Sequence, residues 1–582
     1  MPTHDTHLDY YRRELRYLHT ESANFAARHP KVARGLVPGD AHSPDPHIQH
    51  LIESVAFLTA GIHRDIDALA PETAAAILDN LCPNLARPVP SMTVMQMTLD
   101  PLEGKVTAGS HIARGTALST TTLTGEPCRF RTAWASTLWP LQVGTVALED
   151  ARVLRIDVQA DAGVDLAELE VDSLRLHLAG DLLTTMPLHE LLLTSLAWVD
   201  IASSAGVQRL PAGCLQQAGF GESEAMLADP AHAHPAYGLL QEYFAFPRKF
   251  QFFDLRGLRG KLGAGARFSI RLAFTHGTDI LSLLRAEHIR LNCVAALNLF
   301  PVTSEPIAYD QRHYEYLLVP NRKRDATTEV HDIVSVTVSD PGEGRSAVVP
   351  SAFADAGGMP LSWTMRRAAS LRPGITGTDV YLGVIDRRDV RAPRAQSVIY
   401  ANLLCTNRQL AGQVTPGTRF YGDGVARSTD IRALYQPSAQ RPPALDSDAL
   451  WALVALLRLN HRSLVDGSAG VATLRAMLSL FAGDTARDAR QISGIAHLAA
   501  TPGTARMTGQ TGAWRGHCRG TDIVIAFDAT HYAGSSALLL ASVLAHFFAL
   551  YTTANSFVRL TVERNGETWM AWPPLTGRQA LV

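Results

Sequence analysis

Cysteine is scarce in this sequence and lysine scarcer. Six cysteines, at 82, 128, 214, 293, 405 and 518, are scattered over 582 residues without a C-x-x-C pair. That spacing excludes a disulfide framework or a zinc ribbon and predicts small core residues in a reducing compartment. Of the 53 basic residues only Lys31, Lys105, Lys249, Lys261 and Lys323 are lysine. A bias spread over the whole chain reads as codon usage, not recognition chemistry. An excess of one charge is also missing. The formal net charge is -2, without the concentrated basic field that nucleic acid or an anionic membrane demands. The longest apolar run, Ala537 to Tyr551, is broken by His546 and falls short of the roughly 20 residues that cross a bilayer, so it predicts a buried helix. The opening MPTHDTH has neither the basic nor the apolar region of a secretory leader. We expect a cytoplasmic protein without nucleic-acid binding or membrane insertion.

Signatures of chemistry are missing too. There is no Walker loop, G-x-G-x-x-G, H-E-x-x-H, G-x-S-x-G or kinase signature, and Gly257 to Lys261 lacks the glycine spacing and hydroxyl of a phosphate loop. The pairs His47/His50 and His232/His234 have no ligand set around them. His517 beside Cys518 are sequence neighbours that seldom face each other, and Arg322-Lys323-Arg324 has no aromatic platform. Neither a metal nor a cofactor is expected, and no catalytic residue. A dispersed triad leaves no such signature, so the alternative reading is a β-rich hydrolase acting on cell-wall material.

What is present begins at the N-terminus. Leu8, Tyr11, Leu15, Leu18, Ser22 and Phe25 follow a 3-4-3-4 spacing that draws a narrow apolar seam on one helix. Thr6 with Asp9 resembles a capping box, and Pro30 forbids continuation. Asp45 then Pro46 opens a second helix with its own seam, Ile48, Leu51, Val55, Leu58 and Ile62, drifting to Ile66 and Leu69. Pro71 begins a short third helix through Leu81, and Pro83, Pro88 and Pro90 force an extended exit. Both seams need a partner. Either they face each other as a hairpin or they face another chain, and Leu8, Tyr11, Leu15, Leu18, Phe25, Ile48, Leu51, Val55, Leu58 and Ile62 are the candidate partner interface.

From Ser91 to about Tyr435 the period changes to two. Leu154, Ile156 and Val158 alternate with polar residues, as do Leu174, Leu176 and Leu178, and Ile270 and Leu272. Further strands are predicted at Val94 to Leu99, Ile289 to Cys293, Tyr314 to Val319, Ile333 to Val338, Val380 to Ile385 and Val398 to Cys405, with helices at Pro187 to Ser195 and Gly238 to Phe246. Pro437 to Asp448 reads as a linker. Beyond it the pattern predicts a helix through Leu450, Leu453, Leu457, Asn460 and Leu464, another from Val471 to Phe481, and a β-α-β order over 523–562. The expected fold is α+β and multidomain: an N-terminal helical region (1–90), two β-rich middle domains (91–235 and 236–436) and a mixed α/β C-terminal domain (437–582).

Several strings, taken in order, resemble one family. They are DYYRRELRYLHTESANFAARHPKVARGL, DPHIQHLIESVAFLTAGIHRDID, CPNLARPVPSM, YGLLQEYFAFPRKFQFFDL, CVAALNLFPVTSEPI, RHYEYLLVP, LLCTNR and the tail from GTDIVIAFDATHYAG to NSFVRL. Together they resemble TssF, also called ImpG or VasA, a baseplate protein of bacterial type VI secretion. The resemblance runs through nearly the whole chain and departs where Ala68, Leu69 and Ala70 replace an acidic pair. It implies a non-enzymatic wedge component under a contractile sheath, similar to the wedge proteins of phage baseplates. The partners it implies are TssG-like, TssK-like and TssE-like proteins, the spike protein and a second copy of the chain, at the inner face of the cell envelope.

Overall fold

The computed structural model describes residues 6–28, 49–61, 77–78, 82–100, 106–227, 235–310, 312–340, 345–352, 361–386, 397–426, 428–443, 467–483, 485–508, 515–564 and 566–577. The chain divides into two compact units, Met1–Leu78 with Ala444–Val454, and Asp79–Pro443 with Ala455–Val582. In the first unit, helix α1 spans Thr6–Arg28, a stretch free of glycine and proline, and α2 is described over 49–61. Of the expected third helix, only 77–78 are described, and they are helical.

The second unit is built on a closed six-stranded barrel. Its strands are Met92–Thr98, Ala117–Thr121, Pro127–Thr132, Cys293–Leu297, Arg419–Gly422 and Asp430–Ala433. Val94, Phe130, Val294, Phe420 and Ile431 are in its core, with Phe130 edge-on to Phe420 at 5.6 Å. The chain leaves this barrel twice. Between Thr132 and Cys293 it builds two facing sheets, and Leu154, Ile156 and Val158 share a core with Leu174, Leu176, Phe253 and Ile270. Between Leu297 and Arg419 it builds a second cluster of sheets around Val336, Leu382, Ile399 and Leu403.

This connectivity departs from the expected break at 235/236. Arg267–Phe274 pairs with Leu196–Ser203, and Phe252–Arg256 with Ser173–Leu178, across that point. Met95 pairs with Ala433 to close the barrel. Pairing between distant strands leaves no mark on a local period-two pattern. The strand expected at Ile289 to Cys293 is likewise divided: Ile289–Arg290 joins the first excursion and Cys293–Leu297 the barrel. Between them Asn292 adopts φ 56°, a left-handed conformation that asparagine tolerates better than most residues.

Helix α3, Leu182–Thr194, begins five residues before the proline expected to open it. Asp181 caps it, accepting from the Thr184 N–H at 2.7 Å, and Pro187 lies inside. Helix α4, Pro235–Ala245, leads into an aromatic string, Phe246 to Phe253. Tyr243 then donates to Gln491 Oε1 at 2.6 Å and so ties α4 to the C-terminal region. That region holds α5 (Gly467–Phe481), α6 (Ala486–Ser493) and α7 (Ala537–Tyr551). Its main sheet runs Ile495–Thr508, Arg515–Phe527, Phe557–Arg564, Glu567–Ala571. Arg515–Phe527 and Phe557–Arg564 are parallel and joined through α7, the expected β-α-β order. Ser536 caps α7, accepting from the Leu539 N–H at 3.0 Å, and the helix is buried along almost its whole length. The helix expected through Leu450 to Leu464 lies outside the described residues.

Candidate partner interface

On α1 the seam is only partly covered. Tyr11, Leu15 and Leu18 are half-buried, while Leu8 and Phe25, near its ends, are 40% and 44% exposed. Glu14 between them is buried. On α2 the covered stripe is a different one from the predicted seam. Ala56 and Ala60 are fully buried, with Ile52 and Thr59 half-buried beside them. These positions follow helical spacing, and alanine permits close approach at a packed face because interaxial distance depends on side-chain size. Leu51, Val55 and Leu58 stand on another face, exposed at 64%, 41% and 67%. Ile48 and Ile62 lie outside the described residues. On α2, Gln49 and His50 hydrogen-bond the Glu53 carboxylate, which lies below its ordinary range; those bonds are the main cause, and His19 of α1 adds a favourable charge. The described part of that seam, Leu51, Val55 and Leu58, is therefore open to solvent.

Elsewhere the described residues give polar groups structural work. A cavity of about 310 Å³ lies between α3 and the C-terminal sheet, lined by Leu183, Met186, Glu190, Tyr532, Ser535 and Trp569 among others. Burial raises the pKa of Glu190. Its carboxyl accepts from the Ser536 hydroxyl at 2.6 Å and stands at the start of α7, a helix cap more than a free acid. Arg564, at the same cavity, lies over the Trp569 ring at 4.9 Å. His517 and Cys518 sit in one strand, so their side chains point to opposite faces. Arg324 of the Arg322–Thr327 turn reaches Glu126 at 3.7 Å. His47, His232 and His234 lie outside the described residues. Among the described residues no group of three or more His, Cys, Asp and Glu is placed to hold a metal, and no helix is long and apolar enough to cross a membrane.

A helical unit with an exposed strip of Leu51, Val55 and Leu58 and a barrel carrying two sheet excursions define a multidomain α+β chain. A family profile described as "Type VI secretion system, TssF" matches residues 3–579. The type VI secretion system component TssF1 of Pseudomonas aeruginosa is 31% identical, the match covering 97% of this chain and 98% of that protein. The chain belongs to the TssF family of type VI secretion. Its fold is similar to a chain in the cryo-electron microscopy structure of the TssK-TssF-TssG baseplate subcomplex, with a TM-score of 0.74, 24% identity and coverage of 90% of this chain and 98% of that one. It is also similar to a chain of the type VI baseplate complex, at a TM-score of 0.57 and 20% identity, covering 99% and 100% of the two chains.

The sequence pattern found α1, α2, α4, α5 and α7 and placed α3 five residues late, but missed α6 and the buried stripe of α2. Alanine carries little weight in a search for leucine seams, so Ala56 and Ala60 left no apolar signal. It also missed the strand Ile495–Thr508, whose run of Ala, Thr, Pro and Gly has no period-two contrast.

Proposed function

We propose that this chain is a non-enzymatic wedge component of the type VI baseplate, and that the exposed strip Leu51, Val55 and Leu58, with Leu8 and Phe25, joins a helical bundle with a TssG-like chain. The observation that carries this reading is the leucine strip itself. Two leucines and a valine at coiled-coil spacing are held in water while alanines fill the buried face of the same helix. TssK-like and TssE-like proteins, the spike protein and a second copy of this chain complete the partner set, at the cytoplasmic face of the inner envelope. Support for the assembly comes from the family, from the similar chain of the TssK-TssF-TssG subcomplex and from that of the type VI baseplate complex.

The test is capture of a TssG-like chain by full-length protein carrying Leu51→Asp with Leu58→Asp. Two exposed positions leave the fold intact, so circular dichroism should stay native while capture falls by roughly thirtyfold or more, the scale of losing a central anchor. Leu15→Asp with Leu18→Asp, on the half-buried side, should lose helix signal and capture together. Undiminished capture by the Leu51/Leu58 variant overturns the assignment.

A further inference from the structure

We propose that the edge strand Glu567–Ala571 and the cavity beside it form a docking site for an extended, basic segment of a partner protein, which adds a strand to the C-terminal sheet and seats one large apolar side chain in the cavity. The site shares no residue with the strip on α2.

The edge is open by register. Glu567–Ala571 is the last strand of its sheet and, among the described residues, pairs only with Phe557–Arg564. Ala571 lies opposite Thr561, and its neighbour Trp572 donates its N–H to the Leu560 carbonyl at 2.9 Å. Inward-bonding positions alternate along an antiparallel ladder, so the N–H and C=O of Ala571 point away from Phe557–Arg564. Ala571 is exposed. Neither proline nor lysine guards this edge, whereas the opposite edge strand, Ile495–Thr508, carries Pro502.

The cavity of about 310 Å³ begins at the same strand, with Leu183, Met186, Phe527, Tyr532, Ser535 and Trp569 in its lining. The ladder shifts register between Val562 opposite Met570 and Glu563 opposite Thr568, leaving Trp569 as an extra residue. A bulge of this kind re-aims a side chain. Ser535 is 9% exposed, and its Oγ has no hydrogen-bond partner among the described residues. A buried hydroxyl without a partner is costly, and the backbone of an entering segment supplies the missing polar atom. The volume is at the low end of ligand pockets, roughly 300–1,000 Å³, which suits a single anchor and not the several anchors of a docked helix.

Charge selects what flanks that anchor. Glu563 lines the cavity and Glu567 stands exposed on the edge. Arg564 lies opposite Glu567 in the ladder and over the Trp569 ring, and Glu190 is engaged by Ser536. Glu563 is left without an ion pair among the described residues. A lysine or arginine beside the anchor provides one. Main-chain bonds along the edge then give affinity, and the cavity gives specificity.

The experiment is fluorescence anisotropy of a labelled, end-blocked peptide titrated with the full-length chain. In the peptide a phenylalanine stands between two threonines, with an arginine at each end. The wild type should bind it, and replacing the phenylalanine by aspartate or N-methylating the peptide backbone should weaken binding roughly tenfold or more. Those changes leave the protein untouched. Leu183→Asp, at a position 68% exposed, and Ala571→Pro should each weaken binding by a similar factor with circular dichroism unchanged, while Ala571→Val should bind as the wild type does. Glu563→Gln should erase the advantage of arginine flanks over glutamate flanks. Leu51→Asp with Leu58→Asp should bind the peptide normally. No binding by the wild type, equal binding of the glutamate-flanked peptide, or loss in the Leu51/Leu58 variant overturns the site. Binding that Leu183→Asp abolishes but Ala571→Pro and N-methylation leave alone marks a small-ligand cavity and overturns strand addition.

Discussion

Glu242 and Lys249 form an ion pair with both side chains sealed from solvent. The other carboxylate oxygen, Oε1, accepts from the Met226 and Leu227 N–H groups at 2.7 Å each. One carboxylate thus fastens the chain before α4 to the aromatic string after it. In the same string, the Phe250 ring lies 4.8 Å from that of Phe220, which in turn stacks on His546 of α7 at 4.2 Å.

Lys249→Met is expected to destabilise the chain by about 3–5 kcal/mol, because it strands a buried carboxylate. Glu242→Gln combined with Lys249→Met removes both charges while keeping an acceptor for Met226 and Leu227, and should recover most of the loss. Urea unfolding compares the two. A single variant as stable as the double contradicts the account.

Acid should destabilise the fold through its buried imidazoles. Burial pushes His177 and His189 down to about 3, and burial together with the nearby Arg87 and Arg367 holds His331 well below its ordinary value. They are neutral when folded and protonate near 6.5 when unfolded, so below that pH the unfolded chain binds more protons. The stability they contribute is complete above about 6.5 and is lost as pH falls, by about 1.4 kcal/mol per pH unit for each histidine. Unfolding midpoints measured between about pH 7.5 and 5.5 test the slope. His189→Gln should flatten it by one histidine's share.

Thiol chemistry should single out Cys518. The other five cysteines are buried, and burial pushes Cys128, Cys293 and Cys405 up to about 12, far from the thiolate that reacts. Under native conditions a thiol reagent should titrate one group, absent in Cys518→Ser, and the rest only after denaturant. Rapid native labelling of any other cysteine contradicts the burial described.

Asn292 should resist substitution out of proportion to its size. Its Oδ1 accepts from the Trp139 N–H at 2.9 Å and its Nδ2 donates to the Trp139 carbonyl at 2.7 Å. Asn292→Val loses both bonds and puts a β-branched residue at positive φ, which should cost about 2–4 kcal/mol. Asn292→Gly keeps the backbone and loses only the bonds, and should cost less. Thermal unfolding of the pair checks the order.

Much of the secondary structure was legible because it is written locally. Leu154, Ile156 and Val158 alternate because one face of their strand is buried, and the β-α-β ending follows from an apolar helix between two strands. Leu8 to Phe25 and Leu51 to Leu58 showed two seams by helical spacing alone, and the ordered strings pointed to the family. Neither revealed which face of α2 is covered, since that depends on where Ala56 and Ala60 meet neighbouring side chains. Nor did local pattern disclose the barrel. Met95 meets Ala433 and Thr132 meets Ala296 only because two long excursions bring their ends back together, and the entropy of closing such loops grows too slowly with length to leave a requirement in the sequence between them. Periodicity is set by each residue's own burial and is readable along the chain, whereas strand partnership is set by closure in three dimensions and is decided only by the tertiary structure.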